Sequence, residues 1–251
     1  MVKLFDLKLV FTRIPKILRY LHINVNISLI ALLIGLVLGL VIALVRIHKV
    51  PVLNRLAVLL VSVIRGTPII VQLYVTYFGI PILLRYINYY RGTDYSLNAV
   101  PPVVYAIVAL GINQAAFNSE TIRAAILSVD KGQIEAATSL GMTGGQILKR
   151  VLIPQAMGVA IPSLGNSLIN LIKGTSLVFT CGVVDMTAES RILSGLDYRY
   201  FEAYVSLAII FWGVTIVLEA LFRYLEGFFA IPEKAPETEA EPVPKWRRKL
   251  T

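Results

Sequence analysis

The residues of this chain with chemistry to offer are polar side chains set into long apolar runs. Asn113, Gln114 and Asn118 fall in one uncharged stretch that ends at Glu120 and Arg123; Asn166, Ser167, Asn170 and Lys173 fall in another. Asn166, Asn170 and Lys173 recur at four- and three-residue spacing and so share one face of a helix. Amides on that face can offer hydrogen bonds to both a carboxylate and an ammonium, as a zwitterion requires. In hydrocarbon such groups are costly, so they either line a solvated path, with Phe117 beside them, or act as hydrogen-bonding glue between helices. Glu120 and Arg123 read either as part of that path or as a structural ion pair at its inner end. Other chemistries are excluded by composition. Cys181 is the single cysteine, and His22 and His48 are the only imidazoles, so neither an internal disulfide nor a multi-Cys or multi-His metal site can form. No G-x-x-x-x-G-K-[ST] phosphate loop occurs, and Lys173-Gly174-Thr175 has the letters in the wrong order.

The elements that position these side chains are membrane helices. Of 251 residues, 57% are apolar and 16% charged, against roughly a quarter charged in a soluble domain. The pattern predicts an all-α integral membrane protein with five spans, near residues 23–45, 69–86, 102–118, 154–172 and 204–229. The first run is longer than a signal-peptide core and no Ala-x-Ala-like site follows it, so it is expected to remain in the protein. Before it, residues 1–22 carry Leu4, Leu7, Phe11, Ile14, Leu18 and Leu21 at helical spacing among five bases, as in an interfacial amphipathic helix. Arg65-Gly66-Thr67-Pro68 breaks a short helix from the second span, because the residue before a proline is pushed out of the helical region. Residues 231–251 mix Glu and Pro before a basic end, the composition of a disordered tail. The net charge of +9 then belongs to loop topology and lipid contact, and no nucleic-acid partner is expected.

Between the third and fourth spans, residues 128–153 are too polar to cross a bilayer and carry the signals of two short helices. Asp130 with Gln133 and Thr143 with Gln146 each read as a capping box, with Gly141 and Met142 as the elbow. Small residues in Glu135-Ala136-Ala137 would let another protein approach the helix closely.

Glu135-Ala136-Ala137, Gly141 and Val151-x-Ile153-Pro154 resemble the EAA segment of the transmembrane subunits of bacterial ABC importers, with Val151 and Ile153 replacing the usual Ile and Leu. Arg65-Gly66-Thr67-Pro68, the stretch from Glu120 to Pro154, and Asn166 to Leu177 are similar to the polar amino acid permeases within that family (the histidine, glutamine and cystine types). The resemblance covers nearly the whole chain before the tail. It implies the type I, MetI-like importer fold, with the EAA helix pair (Glu135, Ala136, Ala137 and Gly141) docked on a dimer of a separate ATPase subunit. That partner would bind ATP and Mg, while this chain would carry no cofactor and no metal. A substrate-binding protein outside the cytoplasm, a second permease chain and membrane lipid are the other partners implied.

A cytoplasmic EAA segment and five spans put the N-terminus outside and the tail inside. Arg46, Lys49, Arg55, Lys131, Lys149 and Arg150 then obey the positive-inside rule, while the bases before residue 22 do not. Relatives commonly read Lys-Asp-Thr-Ser-Leu where this chain has Gly174, which removes a carboxylate suited to a cationic substrate. The segments FDLKLVFTRIPKIL, VRIHKVPVL and IRGTPIIVQLYVTYFG look most like cystine-type permeases, so L-cystine is the expected substrate, with glutamine, glutamate or basic amino acids as alternatives. An ion-coupled secondary transporter and a membrane scaffold are the readings from other classes. No internal repeat of the kind common in secondary transporters is visible.

Overall fold

A computed structural model describes residues 4–95 and 100–229; the expected tail lies outside the described residues. The chain there is helical throughout: α1 (Leu7–Leu18), α2 (Leu21–Ile47), α3 (Leu53–Gly66), α4 (Ile69–Arg91), α5 (Pro102–Leu127), α6 (Lys131–Ser139), α7 (Gly144–Ile147), α8 (Ile153–Gly174), α9 (Met186–Asp197) and α10 (Tyr200–Phe229). A π-helical turn, Leu148–Leu152, leads into α8, and a 3-10 turn, Thr175–Cys181, leaves it. Four segments are long and apolar enough to cross a bilayer: α2, α4, the segment containing α8, and α10. The expected third span forms the first part of α5, a longer helix that continues through a polar second half to Leu127 and packs against α2, α3, α4 and α8.

The α2–α5 pair makes the most extensive contact of any two helices. Ala31, Gly35, Gly39 and Ala43 recur every fourth residue along the buried stripe of α2. A Cβ on Gly35 would lie 2.5 Å from Gln114 Cβ and 3.1 Å from its carbonyl carbon, and one on Gly39 would lie 3.1 Å from the Ser119 nitrogen. The two backbones therefore touch, which only small residues permit, and in lipid such close packing replaces the hydrophobic drive that holds water-soluble helices together. The four-residue repeat is plain in the sequence but is easily missed inside a run of Leu, Ile and Val. Around this pair Ile27, Leu73, Ala109, Leu110, Leu171 and Val178 form the main core.

The helix before the first span is not loose on a surface. Asp6 caps α1 by accepting from the N–H groups of Lys8 and Leu9. The inner face of α1, Val10, Arg13 and Ile17, is buried against α9 and α10. Arg13, its side chain only 4% exposed, donates from Nη2 to both oxygens of Asp197 at 2.6 Å and from Nη1 to the Arg199 carbonyl at 2.6 Å. Ser206 donates to the Val10 carbonyl, and the Asp6 N–H donates to Glu202. At the first turn of α2, the buried Asn24 amide donates to Thr175 and Asp185 and accepts from the Met186 N–H. Since α9 follows α8 and the α6–α7 pair precedes it, α1 sits at the end of the bundle remote from that pair.

Both short helices form. Gly141 takes φ +76°, the left-handed conformation that ends α6. The Thr143–Gln146 capping box closes in both directions. The Asp130–Gln133 box does not: Asp130 accepts from the Gly132 N–H at 2.8 Å, while the Gln133 amide turns away to the side chain of Gln155 on α8. A tertiary partner has displaced the local one.

Two measurements check this packing by thermal unfolding of the detergent-purified protein. Gly35→Ala is expected to cost about 1–3 kcal/mol through overpacking, whereas Gly79→Ala, where a Cβ meets open space, should leave the transition unmoved or slightly raised. Arg13→Ala should cost about 1–2 kcal/mol, through loss of its charge-assisted hydrogen bonds to the half-exposed Asp197 carboxylate and to the Arg199 carbonyl. Burial pushes the Asp197 carboxyl up, but hydrogen bonds from Arg13 and the Arg199 N–H outweigh it and hold the carboxyl below the ordinary aspartate value of 3.8. The pair's contribution is therefore complete above that pH and fades as pH falls through the lowered value, so the gap between wild type and Arg13→Ala should close only in strong acid.

Candidate functional site

The break between α3 and α4 begins the site. Thr67 is extended at φ −114°, ψ 142°, as the residue before Pro68 must be. This frees carbonyls that hydrocarbon would leave unpaired. Gln72, one turn into α4, recovers them: its Nε2 lies 2.7 Å from the Ile64 carbonyl, 3.0 Å from the Thr67 carbonyl and 2.9 Å from the Thr67 hydroxyl. Its Oε1 accepts from Asn113 Nδ2 at 3.0 Å. The break is thereby fixed to α5.

Beside it lies a cavity of about 460 Å³ between the break, α5 and α8, walled by Thr67, Asn113, Phe117, Asn166, Asn170 and Gly174 among others. Of the path residues expected from the sequence, Asn113, Phe117, Asn166 and Asn170 come together here. Gln114 lines the same cavity and joins a buried hydrogen-bonding set with Ser167 and Asn118. Ser167 Oγ is 2.9 Å from Gln114 Oε1 and 3.0 Å from Asn118 Oδ1. Those three amide and hydroxyl groups tie α5 to α8. Asn166 and Asn170 differ from them: both are exposed, and neither has a hydrogen-bond partner among the described residues. Ser163, one turn before Asn166, extends this exposed polar strip along α8.

Lys173 lies outside the cavity wall. It is exposed at the end of α8, and Gly174 takes the place in the wall. Glu120 lies about one turn beyond Phe117 and Arg123 a further turn on, and the two form the expected pair, at 3.0 Å. Two further arginines join it from other helices: Arg46 of α2 bonds to Glu120, and Arg65 of α3 reaches to 3.8 Å. The Arg65 guanidinium also lies over the Phe117 ring, 5.3 Å from its centre. In the sequence Arg46 reads only as a topology marker and Arg65 only as part of a break, and Gln72 is one more residue of an apolar run. An amide four residues after a helix-breaking proline, inside an apolar run, is the sequence signal for Gln72. Nothing local marks the two arginines, because their carboxylate is 55 or more residues away.

At the other end of α8, Glu135 and Ala136 are exposed on α6 while Ala137 is buried. Glu135 thus stands on a free face of a small-residue helix that is anchored from behind by Ala137 and by the Gln133–Gln155 contact.

Comparisons with known proteins agree with this architecture. Residues 35–229 match the family model described as "Binding-protein-dependent transport system inner membrane component". A probable amino-acid ABC transporter permease protein, PatM of Vibrio harveyi, is 37% identical over 89% of this chain and 96% of its own length. The L-cystine transport system permease protein TcyL of Bacillus subtilis is 39% identical over 90% of this chain and 92% of its own. The glutamine transport system permease protein GlnP of Escherichia coli is 31% identical over 88% and 96%. Among solved structures, an amino acid ABC transporter with histidines superposes with TM-score 0.75 at 33% identity, covering 89% of this chain and 99% of that one. The MetNI methionine ABC transporter superposes at 0.62 with 20% identity and shows the type I importer fold alone. Helix order, the cavity between α5 and α8, and these matches over most of the chain together make the protein a member of the inner-membrane components of binding-protein-dependent transport systems, as an amino-acid ABC transporter permease.

Proposed function

We propose that this chain forms the membrane path for ATP-driven import of a polar amino acid, with L-cystine the preferred substrate. The observation that carries the reading is the pair of unpartnered, exposed amides, Asn166 and Asn170, facing a cavity with Asn113 and Phe117 on an otherwise apolar helix. An exposed amide strip in a bilayer is stable only if water, substrate or a second polar surface covers it. Import through a path shared with a second permease chain supplies all three. The cavity wall offers amides and hydroxyls with no carboxylate, and the charged groups above and below it, Lys173 and Arg65, are cationic. Such a field suits a zwitterion or an anion and disfavours a cation. That agrees with the name of the cystine permease among the relatives and argues against basic amino acids.

In this reading α5 is a fifth span held inside the bundle, α6 and α7 are cytoplasmic, and α1 with α9 lies outside the cytoplasmic membrane. Glu135, Ala136, Ala137 and Gly141 form the docking surface for an ATPase subunit dimer, in which ATP and Mg are bound and hydrolysed; this chain contributes no catalytic group. A substrate-binding protein delivers the amino acid at the α9 end.

Uptake by the assembled complex in proteoliposomes tests both parts. Glu135→Ala should cut ATP-driven uptake about tenfold through lost coupling while the ATPase subunits keep their basal hydrolysis; undiminished uptake refutes the coupling role. Asn170→Ala should raise KM about tenfold by removing a hydrogen-bonding amide from the wall, and unchanged kinetics would take Asn170 off the path.

A further inference from the structure

The charged cluster below the amide cavity is not balanced. Glu120 commits one oxygen to Arg46 and the other to Nε and Nη2 of Arg123, at 3.1 and 3.0 Å. Arg65 Nη1 stops 3.8 Å away, outside hydrogen-bond reach. Three guanidinium groups thus share one carboxylate, leaving two positive charges in excess. Arg65, its side chain 46% exposed, has the Phe117 ring beside it and no hydrogen-bond acceptor among the described residues.

Arg65 and Arg46 line a second cavity, of about 470 Å³, with Ser62, Gly66, Glu120 and Phe117 in its wall. Phe117 also walls the amide cavity, and Gly66 and its neighbour Thr67 each face one of the two. One ring and one backbone break therefore separate a neutral, amide-lined chamber from a cationic one. A guanidinium with its fork unpaired and partly desolvated is completed best by a planar oxyanion, bound through two parallel hydrogen bonds. Every free amino acid carries such a group in its carboxylate. The phosphate of an anionic lipid offers similar oxygens, but the wall shared with the amide cavity favours the traveller over the solvent.

We propose that Arg65, with Arg46, is a carboxylate-binding station on the amino acid's route, and that Phe117 is the partition between this station and the amide cavity. The proposal rests on the import reading above and gives it a second, charged site. Glu120 and Arg123 hold Arg46 in place, while Arg65 receives the substrate's carboxylate as it passes Phe117.

The test is equilibrium binding to the purified permease–ATPase complex in phosphatidylcholine nanodiscs, using two matched pairs: L-cystine against cystamine, and L-glutamine against 4-aminobutanamide. Each pair differs only by its α-carboxylates. Wild-type complex should bind at least one amino acid about tenfold or more tighter than its decarboxylated partner. Arg65→Gln should erase that preference with little change for the amine, and Arg65→Glu should invert it, which loss of a merely structural arginine would not do. If Arg65→Gln fails to run as a monodisperse complex, Arg65→Lys, which keeps the charge without the fork, should keep the preference with affinity lowered several-fold. Equal binding within both pairs by the wild type, or a full preference in Arg65→Gln, overturns the proposal. So does loss of amino acid binding when phosphatidylglycerol replaces phosphatidylcholine, which assigns the cluster to the headgroup of a net-anionic lipid. ATP-driven uptake by the wild type, measured separately, decides the import reading on its own.

Discussion

Contact between the backbones of α2 and α5 is the constraint on which the other features rest. Ala31, Gly35, Gly39 and Ala43 put nothing larger than a methyl on the stripe of α2 that meets α5. The Gln114 to Ser119 stretch of α5 is therefore pressed against α2 on one side and turned toward α8 on the other. That rotation buries Asn118 and Ser119, sets Gln114 against Ser167, and leaves Asn113 and Phe117 facing the break before α4. With ordinary side chains at Gly35 and Gly39, α5 would be displaced, and the bonds that Asn113, Gln114 and Asn118 make to α4 and α8 would be lost. In a bilayer that loss is not made good by water.

The cavity is built from an interruption. Pro68 ends α3 and leaves carbonyls that Gln72 recovers at Ile64 and Thr67 and that the Thr67 hydroxyl recovers at Val63. The same interruption brings Thr67 and Ile69 to the wall of the amide chamber. A span without the break would be simpler to fold but would close the space. Gln72 therefore serves two ends: it restores hydrogen bonding inside the membrane, and through Asn113 it holds the opened segment at a fixed distance from α5.

Much of this was legible in the sequence, and the parts that were not share a cause. Helix positions follow from apolar length and from Pro and Gly punctuation, so α2, α4, α8 and α10 lie where the residue pattern puts them. The amide stripe on α8 follows from spacing alone. The Thr143–Gln146 cap is local and was readable; the Asp130–Gln133 cap was equally plausible and lost its glutamine to Gln155, a partner brought near only by the fold. The basic residues before the first span, at odds with simple charge topology, are partly accounted for by Arg13, whose carboxylate partner is 184 residues away. Arg46 and Arg65 meet Glu120 in the same way. Long-range charge pairing leaves no periodic trace, whereas helix packing does.

The Gln133–Gln155 contact has a mechanical consequence. It bridges the π-helical turn, so α6 and the first turn of α8, 22 positions apart at these two residues, are joined side chain to side chain as well as along the chain. To the extent that α8 moves as one piece through Pro162, the helix beyond Gln155 is a lever. Asn170 stands 15 residues farther along, about 22 Å at the rise of an α-helix. A tilt of roughly 10° about Gln155 carries its amide about 4 Å, more than the length of a hydrogen bond. A small displacement at one face of the bundle is thus large enough at mid-bundle to make or break the contacts that hold a solute.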